Sequence, residues 1–204
     1  MKAVGFLGDF YNEAAGPRLN WTFATPGEFS WGALADHQIV VLGTENRIEP
    51  LQSNSLWMTP ALEELLVRYV EEGGSLLSFH SGLASYPAGP YTSLVGGAFQ
   101  FHPVAYPQFR FVPRNEPHSI LQGVATFELT DEMYFVWRDA ATTEGLGTLV
   151  SEEYGSSSAL WCGRRGRGKV AGLTPGHRPE ALARPSVVRL VANILGWFGE
   201  GENA

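Results

Sequence analysis

The chain has 204 residues, with 21 acidic against 14 basic side chains, one cysteine and five histidines. One cysteine excludes an internal disulfide, a cysteine-built zinc finger and an iron–sulfur cluster, and a net charge of −7 turns the chain away from nucleic acid and anionic membrane. No apolar stretch approaches the roughly 20 residues of a membrane span and no leader-like segment opens the chain, which leaves small-molecule chemistry in one cytoplasmic domain, residues 1–204, long enough to bury about 70% of its unfolded surface.

Ala3–Leu7 is a short apolar run ending at Gly8-Asp9, the pattern of a buried strand feeding a loop. Residues 10–37, rich in Gly, Pro, Trp and Phe, have no sustained helical period, so the first crossover helix is short or missing. Gln38–Leu42 and Ser75–Phe79 repeat the first run, and continuous apolar runs are what parallel strands covered on both faces require. Between them Thr59 caps a helix with Pro60 in its first turn; Leu62, Leu65, Leu66, Tyr69 and Val70 form its apolar stripe, and Gly73-Gly74 stop it. Gly96–Pro103 reads as a glycine-loosened loop carrying His102. From residue 109 the rhythm changes to short strands at Phe109–Val112, Phe127–Thr130, Thr148–Ser151, Ser158–Cys162 and Lys169–Leu173, with a glycine-rich hairpin turn over residues 164–169. A last helix starts near Pro185, with Val187, Leu190, Val191, Ile194 and Phe198 on one face, and breaks at Gly199, beyond which Glu202–Ala204 fray. The result is an α/β chain with a mostly parallel central sheet.

In such sheets ligands sit beyond the carboxyl ends of the strands, which sorts the histidines. His37 precedes its strand and belongs at the opposite edge. His80 follows Phe79 in Ser78-Phe79-His80-Ser81-Gly82, the position of a nucleophile elbow that pushes a side chain out at the top of the sheet. His118 and His177 also follow strands, and His102 joins them from its loop. Four imidazoles on one rim can bind a divalent metal or exchange protons near neutrality, with His80, His118 and His177 as the candidate ligands. Their spacings match no compact zinc motif. Asp131 and Glu132, next to each other at a strand end, point to opposite faces unless the chain turns there. Cys162, inside an apolar run, reads as a small buried hydrophobe. The two lysines, Lys2 at the terminus and Lys169 in the hairpin turn, are poorly placed for imine chemistry.

Phe79-His80-Ser81-Gly82, the stretch Leu94–Phe99 with His102-Pro103, Pro117–Ile120 with Gly123, Thr130–Tyr134, and Trp161 with Gly166–Val170 and Gly176-His177 together resemble the ThuA-like (trehalose-utilisation) family over residues 36–198. The resemblance implies a class I glutamine amidotransferase-like fold, a three-layer flavodoxin-like sandwich, and a link to the catabolism of trehalose and related disaccharides, including oxidised (keto) sugars. Amidotransferases of this fold carry their nucleophilic cysteine at the elbow. His80 stands there in this chain, which removes thiolate-based glutamine hydrolysis. Two departures stand out: the loop after the first strand is Asp9-Phe10-Tyr11-Asn12 where family members often have a histidine, and the first crossover helix is reduced.

The leading expectation is therefore an enzyme, a hydrolase or lyase acting on a keto-disaccharide or related sugar by histidine-centred acid–base or metal-assisted chemistry. His80 is its central group, with His177 and His118 as partners and Asp131 or Glu132 orienting an imidazole or taking a proton. Ser81, His102, Tyr134 and Trp161 are the substrate-binding candidates, the aromatics because flat apolar faces suit sugar rings, and Tyr106 is a further such face. Scaffolds of this type commonly pair as C2 homodimers. A binding or interaction module that keeps the pocket without the chemistry is the alternative. A flavodoxin-like electron carrier is remote, because no phosphate-cradling loop follows the first strand.

Overall fold

The computed structural model describes residues 1–6, 19–49, 52 and 54–201. Leu7–Asn12, including the loop that departs from the family pattern, and Glu202–Ala204 lie outside the described residues. In chain order the elements are β1 (Lys2–Phe6), β2 (Asn20–Phe23), β3 (Ile39–Leu42), α1 (Pro60–Glu71), β4 (Ser75–Phe79), α2 (Pro90–Val95), β5 (Gly97–Phe101), β6 (Gln108–Pro113), β7 (Phe127–Thr130), β8 (Phe135–Arg138), β9 (Glu144–Ser151), β10 (Gly155–Arg165), β11 (Gly168–Leu173), α3 (Pro179–Leu182) and α4 (Pro185–Gly199). Short 3-10 turns add Trp31–Asp36, His80–Leu83 and Ser119–Leu121.

Among the described residues nine strands form one sheet in the order β2-β1-β3-β4-β11-β10-β9-β6-β7. The first five run parallel, as their apolar runs require, and from β11 onward every pairing is antiparallel. The sheet is thus mixed: parallel in its first half, a chain of antiparallel ribbons in its second. Side chains alternate across it. Ala3, Ile39, Val41, Leu77, Phe79, Ala171 and Leu173 pack with α4, while Val4, Phe6, Val40, Leu42, Leu76 and Val170 pack with α1 and α2 on the other face. This is the three-layer α/β arrangement expected from the sequence.

The α1 boundaries follow their capping chemistry. Leu62 N–H donates to Thr59 Oγ1 at 3.3 Å, Pro60 occupies the first turn where no donor is needed, and Gly73 at φ +117° takes the chain out of the helix. On α4, Val187, Leu190, Val191, Ile194, Leu195, Trp197 and Phe198 are all buried, so truncating Leu190 or Ile194 to Ala costs about 2–5 kcal/mol.

Three sequence expectations change. The stretch Gly97–Phe101, read as loop, is β5, which pairs antiparallel with β8 in a small second sheet that carries His102 at its end. Residues 20–23 of the segment without helical period add a parallel edge strand, β2. Lys169 is not in the turn: it lies in β11, buried, and its Nζ donates to the carbonyls of Trp197 at 2.6 Å and Glu200 at 2.7 Å. It closes the carboxyl end of α4, where orphan carbonyls and the helix dipole favour a cation.

Candidate functional site

The carboxyl rim is where the chemistry gathers. β4 ends at Phe79 and turns sharply at His80, whose φ of +43° places a non-glycine residue in the left-handed region at a cost of about 1–3 kcal/mol. Gly82 permits the turn, since a Cβ there would stand 2.0 Å from the Leu42 carbonyl oxygen. His80 does occupy an elbow, but its side chain is wholly buried instead of standing free above the sheet. Tyr134 stacks over its ring at 4.0 Å between centroids. Its Nδ1–H donates to the Thr174 carbonyl, just past β11, at 2.6 Å, and this fixes the tautomer that turns the Nε2 lone pair inward.

Two groups meet that nitrogen. Glu132 Oε2 lies 3.2 Å from His80 Nε2, His177 Nδ1 lies 3.2 Å from it, and Glu132 Oε2 and His177 Nδ1 are 3.3 Å apart. The Glu132 side chain is 14% exposed and that of His177 is 37% exposed, so these two reach the surface while His80 does not. His102 backs the other carboxylate oxygen, its Nε2 3.7 Å from Glu132 Oε1, with its Nδ1–H donating to the Pro103 carbonyl at 2.7 Å. Burial works against the Glu132 charge, but its contact with His80 and the fields of His177, His80 and His102 outweigh it and hold its carboxyl below the ordinary value. Burial likewise lowers His177, the pull of Glu132 in the opposite direction notwithstanding.

The adjacent carboxylates do different work because the chain has turned after β7. Asp131 is fully buried and faces away from the imidazoles: its Oδ2 accepts from Gly176 N at 2.8 Å and His177 N at 3.0 Å, and its Oδ1 from Arg178 N at 2.9 Å. Asp131 is thus a positioning residue that pins the loop carrying His177, not a group that exchanges protons with a ligand.

Strand direction decides which predicted residues converge. β7 runs with β4 and β11, so Asp131 and Glu132 emerge at the same rim as His80 and His177. β6 runs the opposite way, so His118, which follows it, lies toward the amino edge and not with the other three. There its Nε2 is 3.7 Å from Cys162 Sγ and 3.9 Å from Glu144 Oε2, and its Nδ1 accepts from Ile120 N at 3.1 Å. Cys162 is buried in β10, and burial pushes its thiol up to about 12, so thiolate chemistry has no residue to carry it. Trp161 is a core residue instead of a sugar platform: its indole fills the space over Gly97 and Gly172 and donates from Nε1 to the Val95 carbonyl at 2.9 Å. Tyr134, 5% exposed, covers His80 and contacts Phe99 and His102, so it shapes the site wall. Ser81 sits half-buried in the turn after His80, and among the described residues no hydrogen bond joins its hydroxyl to the cluster.

Thr174 and Phe99 were not legible in the sequence as site residues, since a backbone carbonyl and a packing contact leave no motif. Tyr106, 46% exposed, has its hydroxyl 3.5 Å from His177 Nε2 and so stands beside the open side of the cluster. At the opposite, amino edge a cleft of about 470 Å³ is lined by Trp31, Leu65 and Tyr69. His37 lies there, its ring nitrogens facing the Ala33 carbonyl and the Thr22 hydroxyl.

The family model for ThuA, described as trehalose utilisation, matches residues 8–198. A cytoplasmic protein of Salmonella typhimurium LT2 superposes with a TM-score of 0.76 at 14% identity, over 98% of this chain and 100% of that one. A protein described as ThuA-like from Parabacteroides merdae ATCC 43184 gives 0.73 at 13% identity, over 96% and 88% of the two chains. The β-galactosidase of Bacillus circulans sp. alkalophilus gives 0.63 at 15% identity, but the match spans 88% of this chain and only 25% of that enzyme. At these identities the likeness is one of fold. No curated protein sequence matches the chain. Among the described residues no helix is long and apolar enough to cross a membrane.

Proposed function

Because the chain belongs to the ThuA (trehalose-utilisation) family, we propose that it is an enzyme of carbohydrate metabolism that acts on a keto-disaccharide or related oxidised sugar by proton transfer at the His80–Glu132–His177 cluster. The observation that carries this reading is the cluster itself: an ionised carboxylate and two imidazole nitrogens within 3.3 Å of one another at a strand-end rim, two of the three reaching solvent. A sugar carbonyl acidifies the adjacent C–H. Removing that proton forms the enolate, and expulsion of the glycosidic oxygen from the next carbon, with a proton delivered to it, breaks the C–O bond and frees a monosaccharide.

In this arrangement His80 anchors the cluster from below, Glu132 supplies its negative charge, and the proton is exchanged where Glu132 and His177 open toward Tyr106. The Tyr106 ring, exposed and close to His177, offers an apolar face for a sugar. The scaffold's elbow without a cysteine favours this over glutamine chemistry.

The test is release of free monosaccharide from keto-disaccharides, including one made by oxidising trehalose. Glu132→Gln and His177→Ala should each lower the rate by about 10²–10⁴-fold, the usual contribution of a positioned acid or base. Binding of an intact sugar with no release would favour a non-catalytic binding module, and release unchanged in both variants would remove the cluster from the mechanism.

A further inference from the structure

We propose that His80, Glu132 and His177 hold one divalent transition-metal ion. The inference deepens the function proposed above and rests on it for its catalytic meaning, although its test reads binding and not turnover.

The first argument is geometric. The three donor atoms form a nearly equilateral triangle with edges of 3.2, 3.2 and 3.3 Å. An ion about 2.0–2.1 Å from each, the usual metal–nitrogen and metal–oxygen length, would sit about 1 Å off their plane and see each pair at an angle of about 100°, between octahedral and tetrahedral values. The donor separations need no change to reach this.

The second argument concerns charge and hydrogens. The His80 Nδ1–H is committed to the Thr174 carbonyl, so Nε2 presents a lone pair to a carboxylate oxygen and to the His177 ring nitrogen. His80 Nε2 and Glu132 Oε2 are thus two acceptors 3.2 Å apart, an arrangement that is repulsive unless a cation, or a hydrogen on His177 Nδ1, lies among them. An imidazole whose far N–H is held by a backbone carbonyl is also the standard outer-shell arrangement of a metal-ligating histidine. Each side chain is also held in place by a neighbour: Tyr134 stacks on His80, His102 stands behind the second Glu132 oxygen, and Asp131 pins the backbone of His177.

The second histidine cluster fails the same inspection. His118 Nδ1 accepts from Ile120 N–H, so Nε2 of the neutral ring carries its hydrogen; Glu144 is already paired with Arg114 at 2.5 Å, and the Cys162 thiol is protonated. That group is a hydrogen-bond network and offers no ready ligand set.

Two imidazoles and one carboxylate leave positions open for water and substrate, as in catalytic sites, and they suit zinc, iron, cobalt or manganese better than calcium or magnesium. Such an ion would polarise a bound water or the sugar carbonyl at the rim where the proton must move.

The experiment titrates zinc(II) and cobalt(II) into chelator-treated full-length protein by calorimetry, with the visible spectrum of the cobalt form as a second readout. One ion per chain is expected, with a cobalt spectrum of low-symmetry nitrogen–oxygen coordination. His177→Ala and Glu132→Gln, both at partly exposed positions, should weaken binding by more than the about 10–100-fold that loss of an outer-shell partner costs. Their circular dichroism should stay native. His118→Gln should bind as the unaltered protein does. Absence of stoichiometric binding, or binding indifferent to His177→Ala, would overturn the metal site; if Glu132→Gln still abolished sugar cleavage in that case, the proposed function would stand without it. A bound ion with no cleavage of any keto-disaccharide would do the reverse.

Discussion

Asp131→Asn and Glu132→Gln change adjacent residues by the same chemistry, and the structure assigns them opposite consequences. The Asp131 carboxylate is fully buried and accepts three backbone N–H groups, two at Oδ2 and one at Oδ1. Asparagine keeps one oxygen. Turned to serve Gly176 and His177, it sets its NH₂ against the Arg178 N–H; turned the other way, it leaves two donors facing NH₂. Hydrogen bonds to a charged acceptor contribute about 1.5–3 kcal/mol and neutral ones about 1, while a buried orphan donor costs about 1–3, so weakening two bonds and orphaning the third donor comes to at least about 2 kcal/mol. In a chain of this size each kcal/mol moves Tm by about 2–4 °C, which gives a fall of at least about 4 °C. Glu132→Gln meets a different environment, because glutamine NH₂ can donate to the inward nitrogen of His80, and its stability should lie within about 1 kcal/mol of the parent. Its sugar cleavage should be lost. Urea unfolding followed by tryptophan fluorescence, alongside monosaccharide release, measures both. Asp131→Asn within about 0.5 kcal/mol of the parent, or Glu132→Gln as destabilised as Asp131→Asn, would refute the division of labour between the two carboxylates.

Gly172→Ala places a Cβ 2.2 Å from the Trp161 ring and should cost about 1–3 kcal/mol by overpacking, with Trp161→Phe recovering part of the loss in the double variant; additive costs would show that the two do not press on each other. Burial holds the His118 imidazole below its ordinary 6.5, with Glu144 and Glu200 raising it, Arg114 lowering it and the neutral Cys162 thiol in contact. As pH falls through 6.5 the unfolded chain therefore takes up a proton that the folded one refuses, and stability drops; His118→Gln should lose less between about pH 7.5 and 5.5, and equal losses in urea midpoints would exclude His118 as the source. The Cys162 thiol, buried and pushed up to about 12, should resist iodoacetamide at pH 8 in the native protein and react fully in urea, whereas native labelling at the rate of a free thiol would contradict its burial.

Much of this architecture is local and could be read along the chain. Ser75–Phe79 reads as a covered strand because a five-residue, mostly apolar run set off by Gly73-Gly74 is too short for a helix, and Thr59, Pro60 and Gly73 mark the ends of α1 by capping chemistry alone. β5 and β2 were harder. Gly97 exists to admit the Trp161 indole, a tertiary reason that reads in sequence as a loop signal, and Asn20–Phe23 is a short edge strand mostly open to solvent. Among the candidate residues, position just after a strand singled out His80, Glu132 and His177 correctly as rim residues. It placed His118 with them because the direction of β6 cannot be seen in β6 itself.

The sequence by itself determined the class of fold, the elbow that carries a histidine in place of a cysteine, and the set of imidazoles and carboxylates from which a site could be made. Tertiary structure alone decided which of them meet. His80 contacts Glu132, Thr174 and His177 across 52, 94 and 97 residues of chain, and those contacts exist because β7 returns parallel to β4 while β6 does not. It also decided that His80 is sealed beneath Tyr134 and that Trp161 belongs to the core. Apolar period, caps and turns are properties of a few neighbouring residues, whereas strand direction, burial and lone-pair orientation are set by partners that only the folded chain brings together.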